Sequence, residues 1–95
     1  MPFSLELPKQ LAKQGWKVKI RERERTEEPH VNIIRRTHTW RLGLRSLEFL
    51  DRTPSPKDVP RELLDHITAH ADRLRAAWDR MHPHNPVVET EDDDA

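Results

Sequence analysis

The first half of the chain alternates apolar and basic residues with a period of two. In Trp16-Lys17-Val18-Lys19-Ile20-Arg21, and again in Trp40-Arg41-Leu42-Gly43-Leu44-Arg45, the apolar residues occupy every second position. Successive side chains of a strand point to opposite faces. Trp16, Val18, Ile20, Trp40, Leu42 and Leu44 therefore line one face, and Lys17, Lys19, Arg21, Arg41 and Arg45 line the other. The pattern predicts strands over 16–25, 30–35, 38–45 and a short 47–50, in antiparallel order. Arg36-Thr37 is the hairpin turn, although it lacks the usual Asn-Gly signal. Pro54 and Pro56 punctuate residues 51–57, which read as a connection because proline cannot serve a central strand.

After this connection the period changes. Leu63, Ile67, His70 or Ala71, Leu74, Trp78 and Met81 recur at three- and four-residue steps, the signature of one amphipathic helix. Asp58 is its expected N-cap, Pro60 sits in its first turn, Glu62 favours its positive end, and Pro83 stops it. The helical stripe should cover the apolar face of the sheet, with Trp78 packed on Trp16 or Trp40. The fold class is α+β, a small antiparallel sheet of three to four strands packed on one long C-terminal helix in two layers. Residues 1–15, with Leu5, Leu7 and Leu11 around Pro8, read as an N-terminal arm or short helical turn able to pack on a neighbour. Residues 16–86 form the single α+β domain, and 87–95 an acidic disordered tail.

Composition narrows the picture. With 95 residues, 34% hydrophobic and 36% charged, the chain supports one small domain with a thin core. The absence of cysteine removes disulfides, thiolate metal sites and cysteine nucleophiles together, so packing or a partner must stabilise the domain. No apolar run approaches the roughly 18 residues a membrane span needs. The opening residues Met1 to Leu7 lack the regions of a signal peptide, so a cytoplasmic location is expected.

The net charge of zero conceals an asymmetry. Residues 1–52 hold 12 Lys/Arg against 7 Asp/Glu, and residues 53–95 hold 5 against 10, giving +5 and −5. Glu89, Glu91, Asp92, Asp93 and Asp94 crowd the end of the chain, where they serve solubility, fold back over the basic sheet, or occupy a basic partner. The alternation Arg21-Glu22-Arg23-Glu24-Arg25, followed by Glu27 and Glu28, reads as a solvated strand end or hairpin tip.

Several of these segments carry a resemblance. Glu28-Pro29-His30-Val31-Asn32-Ile33, then Trp40-Arg41-Leu42, Leu47-Glu48-Phe49-Leu50, Pro60 and a helix ending in Trp78, resemble the small bacterial family called domain of unknown function 4160, over residues 16–82. Members of that family have been proposed as toxin components of toxin–antitoxin pairs and are often encoded beside a second small domain, so the resemblance implies a small protein partner from a neighbouring gene. The family tends to read Pro-Pro-His-x-His at the second strand. Here Glu28 replaces the first proline and Asn32 the second histidine.

The candidate chemistry lies on the basic face. His30 should share that face with Asn32, close to Lys17, Lys19, Arg21, Arg41 and Arg45. A histidine among cations tends to its neutral form and can accept a proton, while arginines hold phosphate. His30 is thus the candidate base of a metal-independent ribonuclease, against the plainer reading that it stabilises the junction after Pro29. His66 and His70 have the four-residue helical spacing of a metal pair, but no third ligand is supplied nearby, and no metal or cofactor is expected. His82-Pro83-His84 reads as a solvated terminus. With only Gly15 and Gly43, no glycine-rich phosphate loop can form.

Three functional classes follow in order. The first is a component of a toxin–antitoxin-like or regulatory pair that binds a small acidic partner, or itself, through the basic sheet face or the arm. The second is a nucleic-acid-binding protein making phosphate contacts through that face. The third is the ribonuclease with His30 as base.

Overall fold

The computed structural model describes residues 3–21 and 28–87. The charged alternation over 22–27 and the acidic tail after Val87 lie outside the described residues. Four strands form one antiparallel sheet in the order β1 (Phe3–Ser4), β2 (Trp16–Ile20), β3 (His30–Arg35) and β4 (His38–Gly43). A short helix, α1 (Lys9–Lys13), links β1 to β2, and two helices, α2 (Arg61–Ala69) and α3 (Ala71–Met81), follow the sheet. This is the α+β, two-layer arrangement that the two periodicities predict.

Register bears out the apolar face. Val18 pairs with Ile33, which pairs with Trp40, and Val31 pairs with Leu42. All five are buried, together with Trp16, Ile20 and Leu44 from the sheet and Leu63, Ile67, Leu74, Ala77 and Trp78 from the helices. The first residues do more than form an arm. Phe3 pairs with Ile20 and Ser4 with Lys19, and Leu5 N–H donates to Val18 O at 2.9 Å, so this segment completes the edge of the sheet. Leu5 and Leu11 join the core. The expected strand over 47–50 contracts to a single bridge between Phe49 and Leu42, reached through a turn in which Leu47 adopts a left-handed φ of 60°.

The helical segment departs from one uninterrupted rod. His70, at φ −111°, separates α2 from α3. Its ring Nδ1–H donates to His66 O at 2.9 Å, the carbonyl that also accepts the His70 backbone N–H at 3.2 Å. A side chain competing for a ladder carbonyl is an ordinary cause of a helix break. The N-terminus shifts as well. Val59, preceding Pro60, is extended and buried, so α2 begins only at Arg61, and Asp58 belongs to a preceding 3₁₀ turn instead of capping the helix.

Trp78 packs elsewhere than on Trp16 or Trp40. Those two pair with each other, ring centroids 5.5 Å apart, at the end of the sheet where β2 begins and β4 starts. At the opposite end, where β2 finishes, β3 opens and β4 closes, α3 fastens to the sheet through Arg75 Nε–H to Leu44 O (2.7 Å) and His82 Nε2–H to Arg21 O (2.9 Å). Trp78 is fully buried there, its centroid 5.6 Å from the His30 ring and 4.0 Å from the His82 ring. His82 is therefore an internal group and not part of a solvated terminus. The chain beyond it returns onto α3: Trp78 Nε1–H donates to Asn85 O at 2.6 Å, and Val87 N–H to Asp79 Oδ1 at 2.8 Å. Val87 is itself buried, so the ordered core runs through that residue.

Removing this side chain should be costly. Trp78→Ala is expected to lower stability by about 3–5 kcal/mol in urea unfolding, the range for deleting a large buried aromatic. A loss under about 1 kcal/mol would contradict this placement.

Candidate functional site

The register gathers most of the predicted basic face. Asn32 pairs with Lys19 on one neighbouring strand and with Arg41 on the other, and Lys17 pairs with Ile34. Lys17, Lys19, Asn32 and Arg41 thus share the face opposite Val18 and Ile33, with exposed Arg21 just beyond β2. Asn32 is buried, at 2% exposure, and so is not presented as an open binding group.

Two of the expected binding cations have internal partners. Arg41 forms a two-pronged bond with Asp51, Nε–H to Oδ2 at 2.8 Å and Nη2–H to Oδ1 at 2.7 Å. Arg45 donates from Nε to Val87 O at 2.7 Å and from Nη2 to Pro86 O at 3.1 Å, holding the returning C-terminal segment. Arg45 lies past the end of β4, so the alternation read from the sequence does not carry it onto the basic face. No periodicity in the sequence signals Asp51 or the Pro86–Val87 carbonyls as partners, because each contact spans ten residues or more.

His30 departs furthest from expectation. It opens β3 opposite Gly43, yet it is fully buried, against Trp78, instead of standing on an open face. Its Nδ1–H donates to Glu28 O at 2.7 Å, which places a ring proton on Nδ1. Pro29 lies in a bend between the two residues, and the ring reaches back across it to the carbonyl two positions before its own. The surroundings are close-packed. A Cβ on Gly43 would lie 3.2 Å from Glu28 Oε2 and 3.3 Å from Leu50 Cδ2. His66 and His70 have ring centroids 4.4 Å apart, but His66 Nε2–H donates to Glu6 O at 2.8 Å and His70 is engaged as described above. Among the described residues no three metal-ligating side chains converge.

Two hollows flank β2. One, of about 280 Å³, lies between α1 and β2 and is lined by Leu5, Leu7, Ala12, Trp16, Lys17 and Lys19 among others. The second, of about 300 Å³, is formed at the far end of the sheet by Trp16, Arg35, Arg36, His38, Trp40 and Asp58. The sequence reading placed the tryptophans purely in the core and so missed this second grouping. Its signal is the run Arg35-Arg36-Thr37-His38 at the predicted hairpin turn. No helix among the described residues is long and apolar enough to cross a membrane. The chain matches no family model, no curated protein and no solved structure.

Two measurements probe this arrangement. A histidine on an open face would lose under about 1 kcal/mol on replacement, whereas His30→Ala in the buried position should cost about 2–4 kcal/mol in chemical denaturation. The hydrogen bond from Arg41, aided by its charge, holds the Asp51 carboxyl below its ordinary value of 3.8. A carboxyl with a lowered folded-state value stabilises the native chain above its unfolded value, and that contribution disappears as pH falls through the folded one. Asp51→Asn should therefore be less stable than the parent at pH 7 by about 0.5–1 kcal/mol, the scale of a well-aligned surface pair. The gap should close in acid; an unchanged gap in urea titrations down to about pH 3 would count against the ion pair.

Proposed function

We propose that this chain is a binding component of a bacterial two-protein system of the toxin–antitoxin or regulatory kind, docking a small acidic protein encoded by a neighbouring gene. The observation that carries this reading is the basic side of β2 next to an apolar hollow. Lys17 is exposed and Lys19 half-buried on that side, and both also line the hollow against Leu5, Leu7 and Ala12. An apolar anchor seated in a pocket and ringed by complementary charge is the usual design of a small, specific protein interface. The resemblance to domain of unknown function 4160 supports the two-gene setting. The fastening of His30 to Glu28 O within the core favours binding over catalysis by that residue.

Co-expression with the neighbouring gene product and affinity purification test the reading. Lys17→Glu combined with Lys19→Glu should reduce capture of the partner by at least about tenfold, with the parent complex weakening as salt rises. Arg73→Glu, on the exposed side of α3, should leave capture unchanged. No complex, or equal capture by the double variant, would contradict the proposal.

A further inference from the structure

The end of the sheet remote from α3 combines three features in one place. The first is an aromatic wall. Trp16 and Trp40, both buried, form its base 5.5 Å apart, and the exposed His38 ring stacks on Trp40 with centroids 6.0 Å apart and planes 29° from parallel. Trp40 is held by its Nε1–H donating to Ser55 O at 2.9 Å.

The second feature is concentrated positive charge. The Arg35 guanidinium sits 5.4 Å from the Trp16 ring centre, positioned by Nε–H donation to Gln14 O at 2.9 Å. Arg36 and His38 are exposed at the lip. Among the described residues neither makes an ion pair, and no hydrogen bond engages the Arg36 guanidinium or the His38 ring. Across the hollow stands one carboxylate, Asp58.

The third feature is backbone strain at that lip. Arg36 adopts φ 57° as the first central residue of the two-residue hairpin loop, and Thr37 does not share the left-handed conformation. A positive φ at a central position of a two-residue hairpin loop is normally met by glycine. A non-glycine residue there costs on the order of 1 kcal/mol. Arg36 contributes no packing in return, because it is exposed. A guanidinium thus stands at a position where glycine would relieve strain.

We propose that this hollow is a nucleotide site. Arg36 and Arg35 hold one phosphate, the exposed His38 ring, backed by buried Trp40, supports the base, and Asp58 accepts a hydrogen bond from a ribose hydroxyl. Planar guanidinium forks match phosphate oxygens, and an aromatic platform accepts any base face. A hollow of about 300 Å³ is at the small end of ligand pockets and suits a single nucleotide. The nucleotide arrives either free or as one unit of a single strand, and the chemistry recognised is the same. The site shares Trp16 with the hollow on the partner surface of β2 but none of its charged residues, and it does not depend on that proposal.

Titration of the full-length chain, followed by calorimetry and tryptophan fluorescence, tests the proposal with adenosine 5′-monophosphate, uridine 5′-monophosphate, adenosine, inorganic phosphate and a hexaribonucleotide. The monophosphates should bind saturably by about 10 mM and quench the tryptophan emission. Adenosine and phosphate should each bind at least about tenfold more weakly than the monophosphates, since each lacks half of the contacts. Arg36→Gly is the decisive variant. It should unfold at the same or a higher temperature than the parent, because strain is relieved, and bind the monophosphates at least about tenfold more weakly. A hexaribonucleotide that binds more than about tenfold tighter than the monophosphates identifies a strand as the source, and equal affinity identifies the free nucleotide. No saturable binding by any probe, affinity of phosphate equal to that of the monophosphates, or unchanged affinity in Arg36→Gly would overturn the site.

Discussion

Trp78 is the point at which the sheet, α3 and the returning C-terminal segment are fastened together. Its indole is fully buried, faces the rings of His30 and His82, and donates its N–H to Asn85 O. A chain that is only 34% hydrophobic has a thin core, and one such side chain supplies a large share of the apolar area removed from water. The neighbouring polar groups are admitted because each is hydrogen-bonded: His30 to Glu28 O and His82 to Arg21 O. The second bond ties the end of β2 to the end of α3, and the ring contact between His30 and Trp78 brings the beginning of β3 against the same helix.

This arrangement divides the molecule. At the α3 end, histidines and arginines are structural: Arg75 holds Leu44 O, and Arg45 holds the carbonyls of Pro86 and Val87. At the other end, the hairpin turn carries exposed Arg36 and His38 over a hollow, with a left-handed residue at its tip. Between them runs the basic side of β2. Charge therefore has two uses in this chain. In the first it replaces apolar area as an internal fastener; in the second it is displayed at the turn and on β2.

The alternation around Trp16–Ile20 and Trp40–Leu44 made the sheet and its buried face legible, and residues 30–35 emerge as β3 with unchanged bounds. Local periodicity reports which face a residue takes, and it did so for Lys17, Lys19 and Arg41. It cannot report what lies opposite that face. The burial of His30 and Asn32, the pairing of Arg41 with Asp51 and the removal of Arg45 to the C-terminal segment all depend on contacts distant in sequence. The break at His70 was hidden for a related reason, since the apolar stripe continues through it at Ala71, and the break comes from a ring competing for a carbonyl. The pairing of Phe3–Ser4 with β2 lacked any alternating pattern of its own, because two residues are too few to show one.

The claim on which this account rests is that His30 is a fastener of the core and not an open-face base. Long-range proton–nitrogen NMR of the histidine rings tests it most directly. The account predicts that His30 holds its proton on Nδ1, bonded to Glu28 O, while His82 holds its proton on Nε2, with both ring protons exchanging slowly with water. A His30 ring that averages between tautomers, or carries its proton on Nε2 and exchanges as fast as an exposed histidine, would contradict it.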